Sequence, residues 1–352
     1  MTKVPIRPSV AALPAYQPGA RSSGRLFHKL SSNESPYPPL PGVMAAVADS
    51  AADINRYPSM MADELAGAIA RLHDLEPEQV AVGAGSVAVL GHLLAAVAGP
   101  GDRVAYPWRS FEAYPILTGV TGAEAVTVPL GPGGRLDLPA LAGALDERTR
   151  AAVICTPNNP TGPAVRQDEF DAFMAAAPDD LLVVLDEAYV EFVTDPEAVD
   201  GIGSLAKYPN LVVARSFSKA YGLAGLRVGY ALGRPRLISA VRAVTVPFSV
   251  SAMAEKAAIT SLQLQDELRE RVAGLVERRS FAFGALQAQG WQPPEPQGNF
   301  VWLDLGADAM PFAEACRRAG VLVRPFPNEG VRVSIGERAG VEQFLATAST
   351  WV

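Results

Sequence analysis

Residues 211–229 read Leu211-Val-Val-Ala-Arg-Ser-Phe-Ser-Lys-Ala-Tyr-Gly-Leu-Ala-Gly-Leu-Arg-Val-Gly229. The opening run, Leu211 to Ala214, is apolar and β-branched, which predicts a buried strand. Ser216, Ser218 and Lys219 follow in a segment without apolar periodicity, and Arg227 precedes a second apolar run, Val228 to Leu232. A lysine desolvated at a strand end loses its proton more easily than in water and can attack a carbonyl. Two serine hydroxyls and an arginine nearby can bind a phosphate. An amine beside a phosphate site suggests pyridoxal 5′-phosphate (PLP). A solvated lysine in a surface loop is the alternative these residues alone leave open.

Upstream, similar short apolar runs recur at Val80 to Gly83, Arg103 to Tyr106, Ala125 to Leu130, Ala151 to Thr156 and Leu181 to Leu185; downstream, Arg227 to Leu232 is the next. Helical patterns, such as Leu138 to Leu145 and Gln167 to Ala176, separate several of them. Strands apolar on both faces, alternating with helices, predict an α/β fold with a mostly parallel, seven-stranded sheet. Ligands of such sheets bind outside the carboxyl ends of the strands. Residues 1–40 are rich in proline and predict an irregular N-terminal arm. Helices are expected over Pro41 to Ala52 and Met60 to His73. After Pro247 the pattern changes to one or two long helices over Ser249 to Ala288. Strands at Phe300 to Leu305, Val321 to Val323 and Val331 to Ile335 follow, with a helix at Pro311 to Ala319. The expected organisation is an arm (1–40) joining the small domain, a large domain (41–248), and a smaller α+β domain (249–352).

The 352 residues are 49% apolar and 19% charged, enough for a substantial core and against disorder. The net charge of -7, without a Lys/Arg cluster, argues against nucleic acid. Cys155 and Cys316 are the only cysteines, so a disulfide framework and a cysteine metal site are not expected, and a reducing cytoplasm fits. Prolines break the first nineteen residues, which lack a signal-peptide core, and no run is long enough to span a bilayer.

Three further features fall at predicted strand ends. Asp186 closes Leu-Val-Val-Leu-Asp186; a buried carboxylate needs a partner, and a protonated pyridine nitrogen, a salt bridge or a metal would each serve. Asn159 lies in Thr156-Pro-Asn-Asn-Pro-Thr-Gly162, a turn sequence directly after a strand, from which it could donate to a cofactor phenolate. Gly83-Ala84-Gly85-Ser86 could bring backbone N–H groups to an anion at a helix start, with Ser86 as cap. It fails the dinucleotide pattern because position 88 is Ala88.

In this order the motifs Pro-Asn-Asn159-Pro-Thr-Gly, Asp186-Glu-Ala-Tyr189, Ser216-Phe-Ser-Lys219 and Gly-Leu-Arg227-Val-Gly resemble a fold-type I PLP aminotransferase. The resemblance covers nearly the whole chain and is nearest the histidinol-phosphate aminotransferase subgroup. It implies that Lys219 carries the cofactor and moves the substrate proton, that Asp186 pairs with the pyridine nitrogen, and that Asn159 and Tyr189 bond the phenolate oxygen. Ser216, Ser218 and Arg227 would bind the phosphate with Ala84, Gly85 and Ser86, and Phe111 would stack on the ring. Tyr57 would reach the cofactor phosphate of a second subunit, which implies a homodimer. Arg332 would clamp the substrate α-carboxylate, and Tyr16, Asn33 and Arg324 would line the side-chain pocket; for Tyr16 and Asn33, simple packing is an equal alternative.

One departure sets the expected substrate. Subgroup members with histidinol phosphate as substrate usually show Asn and then Ser-Asp-Glu at the glycine turn, whereas this chain reads Gly83-Ala84-Gly85-Ser86-Val87-Ala88. The more apolar turn, with Trp108-Arg-Ser-Phe111-Glu-Ala-Tyr114-Pro115, resembles the actinobacterial-type aromatic amino acid aminotransferases. The implied activity is transfer of the amino group of phenylalanine, tyrosine or tryptophan to 2-oxoglutarate. Histidinol-phosphate aminotransferase is the alternative, threonine-phosphate decarboxylase a more distant one. A PLP-binding transcription regulator is disfavoured, because only about eighty residues, not basic, precede the Val80 strand.

Overall fold

The structure is a computed structural model and describes residues 4–13 and 27–351. Tyr16 lies outside the described residues. The seven expected strands form one sheet: β2 (Val80–Gly83), β3 (Arg103–Trp108), β4 (Glu124–Pro129), β5 (Thr149–Cys155), β6 (Leu182–Asp186), β7 (Leu211–Ser216) and β8 (Gly229–Gly233). A two-residue strand, β1 (His28–Lys29), precedes them. The sheet order is β2-β8-β7-β6-β5-β3-β4. All neighbours are parallel except β8, which runs antiparallel to both β2 and β7.

Successive residues of the central strands face opposite sides, and both sides are covered. Val183 and Leu185 of β6, with Leu211 and Val213 of β7, enter one apolar core. Leu182 and Val184, with Val212 and Ala214, enter another on the opposite face. This is why these strands read as continuous apolar runs rather than alternating ones.

The C-terminal region carries the long helix Gln265–Ala288 and a three-stranded antiparallel sheet. That sheet has β11 (Arg324–Phe326), β12 (Gly330–Ser334) and β9 (Phe300–Asp304) in the order β11-β12-β9. The remaining strand, β10 (Val321–Leu322), pairs in parallel with β1. Leu30 then continues this contact, its N–H donating to the Leu322 carbonyl and its carbonyl accepting from Ser334 N–H.

Several boundaries differ from the sequence reading. Arg227 is not in a strand: its φ of 55° is left-handed and β8 starts two residues later. Ser86 is the first residue of its helix, Ser86–Val97, and Gly85 holds the cap position. The expected helix at Met60 starts at Asp63, after Ala62 takes a left-handed conformation. The 249–288 region divides at Leu264 into helices Ala252–Gln263 and Gln265–Ala288.

Candidate active site

Parallel strands β3, β5, β6 and β7 deliver their carboxyl ends to one edge of the sheet, where a cavity of about 270 Å³ opens. Its wall includes Asn159, Asp186, Tyr189, Ser216, Ser218 and Lys219, together with Arg227, Ser86 and Phe111. The pairing register explains much of this convergence. Asp186 lies in register with Cys155 on one side and Ala214 on the other. Gly229 pairs with both Ser216 and Gly83. The antiparallel β8 thus brings the glycine turn after β2 alongside the serines after β7.

Backbone proximity at this point requires glycine. A Cβ on Gly229 would collide with Ser86 N and the Gly85 carbonyl carbon. Gly85 has φ 89°, open to glycine but strained for other residues, and a Cβ there would fall on the Arg227 guanidinium. Arg227 Nη1 in turn donates to Ser218 Oγ at 3.3 Å, and Ser216 Oγ accepts from Ser218 N–H at 3.0 Å. Hydroxyls, a guanidinium and the amino end of a twelve-residue helix therefore meet in one corner. That donor set suits a phosphate.

At the other end Asp186 is buried. It accepts from Tyr114 OH at 2.7 Å and from Ala188 N–H at 3.3 Å. Burial raises its carboxyl to about 6, against the opposing pull of the Tyr114 bond. No ion pair to Asp186 occurs among the described residues. A ring nitrogen that carries a proton is the kind of partner such a carboxylate takes. The adjacent Glu187 points away from the cavity; it accepts from Arg215 Nε at 2.8 Å and pairs with its Nη2 at 2.7 Å, linking β6 to β7.

Lys219 stands between these two ends. Its Nζ donates to the Ser32 carbonyl at 3.3 Å and lies 5.7 Å from the Tyr189 ring centroid. Burial first, and the Arg332 charge second, lower the amine to about 8. It therefore reaches the uncharged, nucleophilic form only about one pH unit above neutrality, where an exposed lysine would need about 10.4. Arg332 donates to Asn159 Oδ1 and, at 3.0 Å, to the Ser31 carbonyl. Arg324 and Phe326 complete the lining together with Phe111. The residues thus fit PLP by their chemistry: an anion corner, a buried carboxylate and a depressed lysine at one cavity.

Other expected site residues lie off this cavity. Ala84 lines a neighbouring groove over the helix Ser86–Val97, not this cavity. Asn33 is fully buried and donates from Nδ2 to Tyr189 OH at 3.0 Å, so its contact with the site runs through that phenol. Ser31, Ser32 and Glu34 line the cavity in its place. Tyr57 is 85% exposed and lies against Phe248, away from its own chain's cavity. The sequence reading also missed the positions of Tyr114 behind Asp186 and of Glu112 on Arg324. Both lie in the quoted Trp108–Pro115 segment, but their partners are 72 and 212 residues away.

Comparison with known proteins supplies the family. The family description "Aminotransferase class I and II" matches residues 27–347. An aromatic amino acid aminotransferase of Streptomyces avermitilis is 50% identical over 346 residues, covering 98% of this chain and 96% of that protein. One from Thermobifida fusca is 51% identical over 348 residues, covering 98% and 97%. Among solved structures, histidinol-phosphate aminotransferase from Sinorhizobium meliloti, in complex with pyridoxal-5′-phosphate, superposes with a TM-score of 0.88 at 30% identity, covering 98% of this chain and 96% of that one. With this match over nearly its full described length, the chain belongs to the class I and II aminotransferases.

Proposed function

We propose that this aminotransferase is PLP-dependent and moves the amino group of aromatic L-amino acids to 2-oxoglutarate, giving aromatic 2-oxo acids and L-glutamate. The observation that carries the reading is half-identity, over nearly the full length, to several aromatic amino acid aminotransferases. An apolar wall of Val87, Phe111 and Phe326 beside the polar end of the cavity suits an aromatic ring.

Bound PLP supplies an electrophilic carbonyl and an electron sink for the substrate Cα. The chain's residues do the rest. Ser216, Ser218, Arg227 and the helix start at Ser86 hold the phosphate; Gly85, whose own N–H donates to the Gly83 carbonyl at 2.7 Å, and Ala84 shape the turn that presents them. Asp186, kept in place by Tyr114, holds a proton on the ring nitrogen. Asn159 and Tyr189 orient the phenolate edge, Tyr189 being fixed by Asn33. Phe111 covers one face of the ring. Lys219 is the covalent seat, and its Nζ takes the proton leaving the substrate Cα. Arg332 fixes the α-carboxylate common to both amino-acid substrates, and Arg324 serves the side-chain pocket.

The same reading assigns residues 1–40 to an arm on the small domain (249–352), supported by the β1–β10 pairing, and 41–248 to the PLP-binding domain. The enzyme works as a homodimer in which Tyr57 reaches the partner's cofactor phosphate. Support comes from an exposed apolar patch where Tyr57 stacks on Phe248 near Met60 and Val246. The compartment is the cytoplasm: both cysteines are buried and unbridged, and no described helix is long and apolar enough to cross a membrane. Sedimentation of the holoenzyme tests the dimer, and a fully active monomer would refute it. The activity is tested by kcat/KM for phenylalanine against histidinol phosphate, each with 2-oxoglutarate. The reading expects phenylalanine to be preferred, and a preference for histidinol phosphate would transfer the assignment to that reaction.

A further inference from the structure

We propose that Glu112 is a specificity-determining residue: its carboxylate occupies Arg324 as an internal stand-in for a substrate's second carboxylate, and dicarboxylates bind by exchanging with it. The inference rests on the reading that one pocket accepts an aromatic acid and a five-carbon diacid in turn. Glu112 and Arg324 line the same cavity. Arg324 Nη2 reaches both Glu112 oxygens, at 3.1 and 2.8 Å. The Arg324 charge is therefore already answered when the pocket holds no diacid. An aromatic substrate, with no charge on its side chain, meets a neutral pair rather than a bare cation that its ring would strip of water.

A second pair beside it shows why this one can exchange. Arg109 bonds Glu329 through Nε, at 2.7 Å, and also through Nη2, so two nitrogens meet two oxygens. That parallel fork is the strong geometry for arginine and carboxylate. The Arg324 contacts to Glu112 run through Nη2 alone, without the fork. Arg109 and Glu329 do not line the cavity, whereas Glu112 and Arg324 do. Both pairs join the loop after β3 to the β11–β12 hairpin. The forked pair holds that loop when the other opens, so Glu112 can swing out without carrying Phe111 away. Of the exchanging partners Glu112 is the more accessible, with 26% of its side chain exposed against 13% for Arg324. The Arg324 guanidinium also lies over the Phe326 ring, 5.1 Å from its centroid, which steadies it during the exchange.

The test uses two ligands that cannot react, glutarate and 3-phenylpropionate, titrated into the PLP-loaded dimer by calorimetry. Glu112→Gln keeps the side-chain shape and removes the competing charge; Glu112→Ala removes the group and guards against a substitution-specific effect. Both variants should bind glutarate about fivefold more tightly, the upper range for a partly exposed ion pair. Both should bind 3-phenylpropionate no more tightly than the parent. Arg324→Ala should weaken glutarate at least about fivefold, the same magnitude with opposite sign. If Arg324→Ala weakens glutarate while neither Glu112 variant tightens it, the exchange is refuted and the substrate reading survives. If Arg324→Ala leaves glutarate binding unchanged, the second carboxylate does not go to Arg324, and the exchange fails with that part of the substrate reading.

Discussion

Tyr114→Phe removes one hydroxyl at the site, which bonds Asp186 and also meets the Cys155 thiol. The phenol packs edge-on to Tyr106 and Phe111, with centroids 5.6 and 5.7 Å away, contacts that phenylalanine retains. What disappears is the 2.7 Å donation to Asp186 and, with it, the contact to Cys155, a buried thiol that stays uncharged over the pH range tested. A hydrogen bond to a charged group contributes about 1.5–3 kcal/mol, and one pKa unit corresponds to about 1.4 kcal/mol. Tyr114 lowers a carboxyl that burial holds at about 6. Without it, Asp186 in the cofactor-free protein should titrate about 1–2 units higher. On the proposed pairing of the Asp186 carboxylate with the ring nitrogen, affinity for PLP falls as pH drops through the Asp186 value. The acid limb of PLP affinity should therefore move up in pH by the same 1–2 units, roughly, in the variant relative to the parent. Equilibrium dialysis of PLP from pH 5 to 9 measures both limbs, and ionisations of PLP itself cancel in the comparison. Superimposable limbs would refute the claim that Tyr114 sets the charge of Asp186.

Four further outcomes follow from the same geometry. Burial raises Glu191 to about 7, and its Oε2 has no hydrogen-bond partner among the described residues. Its folded value exceeds the unfolded one, so its contribution is complete below about pH 4.3 and is lost as pH rises through 7, about 3 kcal/mol in all. Glu191→Gln should flatten thermal stability against pH between 5 and 8; an unchanged slope contradicts this. Gly85→Ala places a side chain at φ 89° against Arg227 and should weaken PLP binding by at least about tenfold, measured by dialysis of folded protein, with equal affinity as the contrary result. In single-turnover kinetics, Arg332→Ala should slow the phenylalanine and glutamate half-reactions alike, by about 100-fold or more. Arg324→Ala should slow the glutamate one more; equal losses would remove its role in the diacid half-reaction.

How much of this was legible in the sequence depends on whether a residue's partner is close in the chain. Six of the seven sheet strands were readable because both faces are buried, which leaves continuous apolar runs such as Leu182–Asp186; β4, an edge strand with only Val128 buried, showed through its β-branched residues instead. The helix Ala113–Thr121 was not, because Pro115 and Gly119 interrupt its pattern. β11 is three residues long with Pro325 at its centre, and β1 has only two residues. Neither carries a periodic signal, and both depend on a partner strand for their existence. Lys219, Asp186, Asn159 and Arg227 stood out because each follows or precedes a strand in a motif of its own. Tyr114 and Glu112 had only their neighbours to identify them, and neither Asp186 nor Arg324 is one. The antiparallel direction of β8 was also invisible, although it is what brings Gly85 to Ser216.

Lys219, its amine lowered to about 8 by burial, is the residue proposed to carry PLP. Borohydride reduction of the PLP-loaded enzyme, followed by proteolysis and mass spectrometry of the peptides, tests it most directly. A single cofactor adduct is expected on the peptide containing Ser218 and Lys219, and none in Lys219→Ala. An adduct on Lys29, Lys207 or Lys256, or undiminished labelling of Lys219→Ala, would contradict it.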